Sequence, residues 1–130
     1  MILALRTDNP TTEIYFYEPG GKKLHEYVWQ ADRQLAKDLL KVLVEQLAKV
    51  KAGFSDLTGI IVFEGPGSFT GLRIGITVAN TIAYAQEIPI VGTKGEDWIK
   101  SGLDRLVKGE TDKIALPHYG AEANISKPKR

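Results

Sequence analysis

A glycine-rich string in the middle of the chain has the residue types best suited to binding or chemistry. Residues 64–75 read EGPGSFTGLRIG and follow the short apolar run Gly59–Phe63. A loop between a strand and a helix can bind an anion, because free backbone N–H groups and the helix dipole point into it. Ser68 is expected to cap the helix, its hydroxyl accepting a hydrogen bond from the first turn.

The details of this loop weaken a phosphate-binding role. A Walker-type loop needs a lysine after its second glycine, and residues 65–70 contain none. Gly65 and Gly67 are followed by Gly71, so the dinucleotide fingerprint is out of register. The loop is therefore interpreted as a tight turn that lets a helix approach the sheet. A nucleotide-dependent phosphotransferase or hydrolase using residues 65–71 is the alternative.

Other candidate reactive groups are isolated in the sequence. His25 and His118 lack the spacing of metal ligands, and Ser68 and Thr70 have no base beside them in the sequence. We therefore predict no catalytic residue, no metal site and no cofactor.

Composition indicates one soluble domain. The chain has 130 residues, of which 43% are hydrophobic and 25% are charged. It has no cysteine, which excludes disulfides and thiolate metal sites, and its net charge of +1 gives no general attraction to nucleic acid. Because no apolar run approaches the length of a membrane span, we expect a cytoplasmic protein.

Periodicity predicts an α/β fold. Residues 1–5, 12–17 and 24–29 are expected to form an antiparallel meander of three strands. Leucines at helical spacing predict a helix over 32–50, which Gly53 closes.

The second half continues with two more helices. The pattern predicts a buried strand at Gly59–Phe63 and helices at Phe69–Gln86 and 97–107. Short strands are expected at 88–92 and 114–116. This order matches a ribonuclease-H-like domain over 1–117, followed by a tail at 118–130. A metal nuclease of this class is disfavoured because Arg6 stands where the first metal-binding carboxylate is needed.

The Phe69–Gln86 helix is apolar on more than one side. Small residues recur every four positions from Gly71 to Ala83, and Arg73, Thr77, Asn80 and Tyr84 form a polar edge. The helix therefore has more apolar surface than one small sheet can cover. We predict a partner interface on the first two helices, formed by Leu39, Leu43, Leu72, Gly75, Ile76, Ala79, Asn80 and Ala83. Bulky charged replacements of Gly75 or Ala79 are expected to abolish partner binding without unfolding the chain.

Two further features have a structural and a nucleic-acid interpretation. Tyr15 and Tyr17 on one strand, and Tyr27 and Trp29 on the next, are more often cross-strand packing than a base-stacking platform. The basic residues 127–130 suit either solvent or the phosphates of a nucleic acid.

The glycine-rich string resembles the signature of the TsaB (YeaZ) family, which acts in bacterial tRNA threonylcarbamoyladenosine synthesis. The resemblance covers about residues 1–107, and its motif residues are Gly65, Pro66, Gly67, Ser68, Phe69, Thr70, Gly71, Arg73 and Gly75. It implies an actin-like ATPase fold, a non-catalytic role and a heterodimer with the catalytic relative TsaD. It also implies a TsaE-like ATPase as a further candidate partner and only indirect contact with tRNA. The apolar surface of the first two helices predicts a homodimer when the chain is alone.

The sequence departs from the family pattern in three places. Arg6-Thr7 replaces the usual Asp-Thr after the first strand, and Ala31, Asp32 and Arg33 stand where a histidine is common. Only one domain fits the length, although residues 117–130 resemble the family's C-terminal end. We therefore expect a family member that has lost most of its second domain but kept the closing tail.

Overall fold

The structure is a computed structural model, and it describes residues 1–118 except the side chain of Phe69. Its centre is a five-stranded mixed sheet in the order β3-β2-β1-β4-β5. β1 pairs antiparallel with β2, β2 pairs antiparallel with β3, and β4 and β5 continue the sheet in parallel with β1. The predicted meander is confirmed. The strands are β1 Ile2–Arg6, β2 Thr11–Tyr17, β3 Lys23–Gln30, β4 Gly59–Phe63 and β5 Ile90–Thr93.

Within residues 1–118, three α-helices cover the sheet: α1 Leu35–Lys49, α2 Phe69–Gln86 and α3 Trp98–Val107. α1 and α2 pack together on one face, where the Thr7 hydroxyl donates to the Gly71 carbonyl at 2.7 Å. α3 lies on the other face, with the Trp98 ring 5.8 Å from the Phe63 ring between centroids. This arrangement places the glycine loop and both candidate partner helices on the same side of the molecule.

The core fills both sides of the central strands. Every residue of β4 is buried, as expected for a strand covered by helices on both faces. β2 alternates between buried and half-buried residues because α3 covers only part of its face. Among the described residues, none of the helices combines the length and apolar character needed to cross a lipid bilayer.

Several predicted boundaries need correction. Residues Asp32–Gln34 form a 3-10 turn before α1, and the helix ends at Lys49. Gly53 does not close it: Lys51 has the left-handed φ of 59°, while Gly53 is extended. No strand forms at 114–116, because Asn80 of α2 takes both backbone hydrogen bonds of Ala115.

The aromatic residues divide between the two faces of the sheet. Tyr15 and Tyr17 lie on the α3 face, with ring centroids 6.5 Å apart, and Tyr15 also contacts Trp98 at 6.3 Å. Tyr27 and Trp29 are half-buried on the opposite face and pack against the core. The four rings therefore belong to packing on two separate faces.

Candidate partner-binding site

The glycine loop packs tightly against the end of β1. Gly65 has φ of 112° and precedes a cis peptide bond to Pro66. A Cβ added at Gly67 would lie 2.5 Å from the Cβ of Asp8, well inside contact distance. The glycines of this loop are therefore required for close approach between α2 and the sheet.

The same close approach continues into α2. A Cβ at Gly71 would lie 2.2 Å from the backbone carbonyl oxygen of Thr7, and one at Gly75 would lie 2.1 Å from the Thr7 hydroxyl. Ala79 and Ala83, the next small residues, are also buried. The stripe of small residues therefore faces this chain's own sheet, and a second protein cannot pack on it.

The start of α2 differs from the expected cap. Ser68 occupies the N-cap position, but its hydroxyl makes no capping hydrogen bond. Its backbone N–H instead donates to the carbonyl of Asp8 at 3.2 Å. Thr70, two residues further on, is exposed. Within residues 1–118, no cluster of three or more histidine, aspartate or glutamate side chains is placed to hold a metal ion.

Arg6 and Asp8 form a paired group at the end of β1. Two nitrogens of the guanidinium donate to the two carboxylate oxygens at 2.7 and 3.1 Å, and the guanidinium carbon lies 3.9 Å above the centre of the Phe63 ring. The hydrogen bond to Asp8 raises the pKa of Arg6 above its ordinary value. The cation at position 6 therefore neutralises the nearest carboxylate.

Most residues of the predicted interface lie inside the protein. Leu39, Leu43, Leu72, Ile76, Ala79 and Ala83 are buried. Gly75 lies against Thr7, and Asn80 binds Ala115. The buried residues stabilise this chain and are not available to a partner while it is folded, which corrects the predicted set. Likewise, a bulky charged residue at Gly75 or Ala79 would enter the core.

The exposed apolar residues of α1 directly follow the predicted ones in the sequence and lie on a different side of the helix. Leu40 and Val44 of α1 are 50% and 51% exposed. Ala36, one turn before Leu40, lines a groove of about 330 Å³ with Ile74 and Val78 of α2. We call these five residues the helix surface.

The helix surface continues toward the glycine loop. A second groove of about 510 Å³ shares Ala36 and Ile74 with the first and reaches Ser68. Arg73 and Thr70 also line the first groove. The motif residues Arg73 and Thr70 are thus brought beside the apolar positions of α1, an arrangement that the sequence did not predict.

Glu64 and Asn80 hold an extended segment, residues 111–118, against α2 and the loop. The Glu64 carbonyl accepts from the N–H of His118 at 2.7 Å. Asn80 donates to the Ala115 carbonyl at 3.0 Å and accepts from its N–H at 2.8 Å. The position of His118 is therefore fixed by a hydrogen bond of its backbone N–H. Of the predicted tail, residues 119–130 lie outside the described part.

An ion pair fixes the other end of this segment. Arg105 of α3 binds both oxygens of Asp112 and, at 2.7 Å, Glu110. Burial would raise the pKa of Asp112, but hydrogen bonds from Arg105 and from the Gly92 N–H outweigh it and lower the pKa. The hydrogen bond to Asp112, followed by that to Glu110, raises the pKa of Arg105.

This ion pair should make stability depend on pH in the acid range. The folded state lowers the pKa of Asp112 below its ordinary value of 3.8. The contribution of the ionised carboxylate to folding stability is therefore present above that pH and is lost as the pH falls through the folded-state pKa. We expect Asp112→Asn to lower the free energy of unfolding by about 1 kcal/mol at pH 6, and the deficit to shrink below about pH 3. Urea unfolding at pH 6 and below about pH 3 measures this change in the free energy of unfolding. A deficit unchanged with pH would contradict an electrostatic origin, and Glu110→Gln is the matched control.

Sequence comparison places these features in a known family. The family model described as TsaD, tRNA N6-adenosine threonylcarbamoyltransferase, matches residues 29–95. The tRNA threonylcarbamoyladenosine biosynthesis protein TsaB of Bacillus subtilis is 34% identical over 89 residues, which cover 68% of this chain and 38% of that protein.

Structural comparison agrees. YeaZ from Pseudomonas aeruginosa matches with a TM-score of 0.62 and 30% identity over 72% of this chain and 43% of that one. The chain thus spans less than half the length of these TsaB and YeaZ relatives. RuvC of T. thermophilus matches over 89% of this chain and 82% of its own, with a TM-score of 0.53. Its 10% identity shows the fold alone, which confirms the ribonuclease-H-like prediction.

The matched region contains α1, β4, the glycine loop, α2 and β5. It therefore includes Gly71 and Gly75, which lie against Thr7, and the helix surface. The chain therefore belongs to the family that the TsaD model describes, and within it to the TsaB (YeaZ) proteins.

Proposed function

We propose that this chain is a non-catalytic subunit in the formation of threonylcarbamoyladenosine in tRNA, and that it binds a TsaD-like catalytic protein through the helix surface. Membership of the TsaB (YeaZ) family supports the role in this tRNA modification. The observation that carries the mode of binding is the exposed apolar side of α1, where Leu40 and Val44 are each about half exposed. An exposed apolar patch that spans two packed helices is typical of a protein-binding surface.

The geometry of the helix surface suits a partner helix. Ala36, Leu40 and Val44 are spaced by four residues and so follow one side of α1. Ile74 and Val78 of α2 have the same spacing and are half-buried. The groove between the two helices, where Ala36, Ile74 and Val78 lie among polar side chains, can accept a third amphipathic helix. Burying the exposed parts of Leu40 and Val44 would then stabilise the complex by the hydrophobic effect.

The surroundings of the glycine loop favour a scaffold over an enzyme. Thr70 is exposed, and Asp8, which lies against Gly67 of the loop, is paired with Arg6. A phosphotransferase would need a cation free to meet a phosphate group, whereas the Arg6 guanidinium already donates to both oxygens of Asp8. We therefore rank the nucleotide-dependent enzyme second.

Co-expression with the TsaD protein of the same organism tests the proposal. We expect the tagged chain to retain TsaD through purification, and calorimetric titration of the purified partners to give saturable binding. A second titration, of the chain alone with ATP and magnesium, separates the alternatives. Failure to bind TsaD would contradict the scaffold function, and tight binding of ATP to the isolated chain would favour the enzyme.

The remaining assignments are extensions of the same proposal. We expect the isolated chain to form a homodimer through the helix surface, because that surface is apolar. Contact with a TsaE-like ATPase, indirect contact with tRNA, and the division into a domain at 1–117 and a tail at 118–130 stay predictions. The basic residues 127–130 lie outside the described part of the chain.

A further inference from the structure

β5 forms one edge of the sheet and exposes half of its backbone groups to the outside. On its inner side, the carbonyls of Pro89 and Thr93 accept from β4, at 3.0 Å from Ile60 and 2.8 Å from Glu64. Backbone groups of alternate residues in a parallel strand point to opposite sides. The N–H and C=O groups of Ile90 and Gly92 must therefore point away from the sheet, where a neighbouring strand would bind.

Side chains and one backbone group occupy all four of these outward positions. The Thr111 hydroxyl accepts from the Ile90 N–H at 3.1 Å, and the Asp112 N–H donates to the Ile90 carbonyl at 2.7 Å. At Gly92, the carboxylate of Asp112 accepts from the N–H at 2.7 Å, and Arg105 donates to the carbonyl at 3.1 Å. These contacts reproduce what a sixth strand would supply.

Two of the side chains that bind β5, those of Arg105 and Asp112, hold each other in place. Arg105 binds the same carboxylate that accepts from Gly92, so the cation and the carboxylate fix each other against the strand. Beyond them, Asn80 fixes Ala115 and Glu64 fixes His118. The cap is therefore one end of a segment anchored along its length.

We infer that Arg105, Thr111 and Asp112 form a built-in cap that blocks β5 from pairing with the edge strand of a second copy of this chain. An uncapped edge strand offers a row of unpaired donors and acceptors and is a known route to self-association. The opposite edge, β3, is protected differently: it has an ion pair between Lys23 and Glu26 at 2.5 Å. Charged side chains on an edge strand disfavour pairing there.

The cap restricts how this protein can assemble. Because the backbone groups of Ile90 and Gly92 are occupied, association by sheet extension at β5 requires displacing Thr111 and Asp112 first. Association through the helix surface requires no such change, since Leu40 and Val44 are already exposed. The cap thus directs contacts between molecules to the helices.

The test is to remove the cap while leaving the helix surface unable to dimerise. In a background with Leu40→Lys and Val44→Lys, Thr111→Ala and Asp112→Ala together remove the acceptors of both outward N–H groups. In dilute solution, where the variant is monomeric, we expect hydrogen exchange at the Ile90 and Gly92 amides to accelerate about three- to tenfold, the effect of one lost hydrogen bond. At higher concentration, sedimentation velocity should show a concentration-dependent oligomer.

A matched control and two contrary outcomes complete the test. Glu110→Ala removes the other carboxylate from Arg105 but touches no backbone group of β5, so it should behave as the background. Unchanged exchange at Ile90 and Gly92, or faster exchange in a variant that stays monomeric, would overturn the inference. Should the variant that lacks both side chains fail to fold, Asp112→Ala alone is measured at the Gly92 amide, with the same outcomes deciding.

Discussion

Replacing Gly71 by alanine should destabilise the folded chain by about 1–3 kcal/mol or more. The new Cβ would lie 2.2 Å from the carbonyl oxygen of Thr7, and this backbone atom cannot move without shifting the end of β1. Alanine gains up to about 1 kcal/mol over glycine in a helix, which offsets only part of that cost. Urea unfolding followed by circular dichroism measures the change.

Gly75→Ala tests the same close packing, and a second substitution should partly restore the stability that it removes. Alanine at this position meets the side chain of Thr7, with the hydroxyl 2.1 Å and Cγ2 2.7 Å from the new Cβ. Removing those atoms with Thr7→Ala should recover part of the loss caused by Gly75→Ala, but none of the loss caused by Gly71→Ala. Gly53→Ala is the control, since nothing lies within 4 Å of a Cβ there. Equal losses in both backgrounds would contradict the contact.

Replacing Leu40 and Val44 by lysine should weaken binding to TsaD at least about hundredfold, the effect of losing one or two central apolar contacts. Both side chains are half exposed, so the free energy of unfolding should change by less than about 0.5 kcal/mol per site. Calorimetric titration measures the affinity, and urea unfolding confirms that the variant is folded. The homodimer of the isolated chain should dissociate in the same variant.

A control of equal exposure separates this effect from a general change in surface charge. Val28 of β3 is 51% exposed and lies on the α3 side of the sheet, away from the helix surface. Val28→Lys should therefore leave binding to TsaD unchanged. Equal weakening by Val28→Lys, or full binding by the double lysine variant, would contradict the assignment of the interface.

The sequence predicts the architecture well where the pattern is local. The period-two strands of the meander, the buried run Gly59–Phe63 and the helix Phe69–Gln86 are each marked by residues close together in the chain. The strand predicted at 114–116 does not form, because a residue distant in the sequence, Asn80 of α2, binds the backbone of Ala115. Thr111 and Asp112 give no sequence signal of their role as caps, because β5 lies about twenty residues away.

The interface prediction fails for a different physical reason. Successive residues of a helix are about 100° apart, so the apolar positions Leu39 and Leu43 and their neighbours Leu40 and Val44 point in different directions. The pattern shows that α1 is apolar around much of its circumference, but only packing against the sheet decides which side is covered. In this chain the sheet covers Leu39 and Leu43 and leaves Leu40 and Val44 exposed.

The contact of Thr7 with both Gly71 and Gly75 sets the rotational orientation of α2. Turning the helix by one residue would bring a side chain onto the end of β1, where only glycine fits. Ile74 and Val78 are consequently held at a fixed angle to α1 before any partner arrives. Binding at the helix surface then incurs little loss of conformational entropy, so its affinity depends mainly on how well the partner's side chains fit the groove.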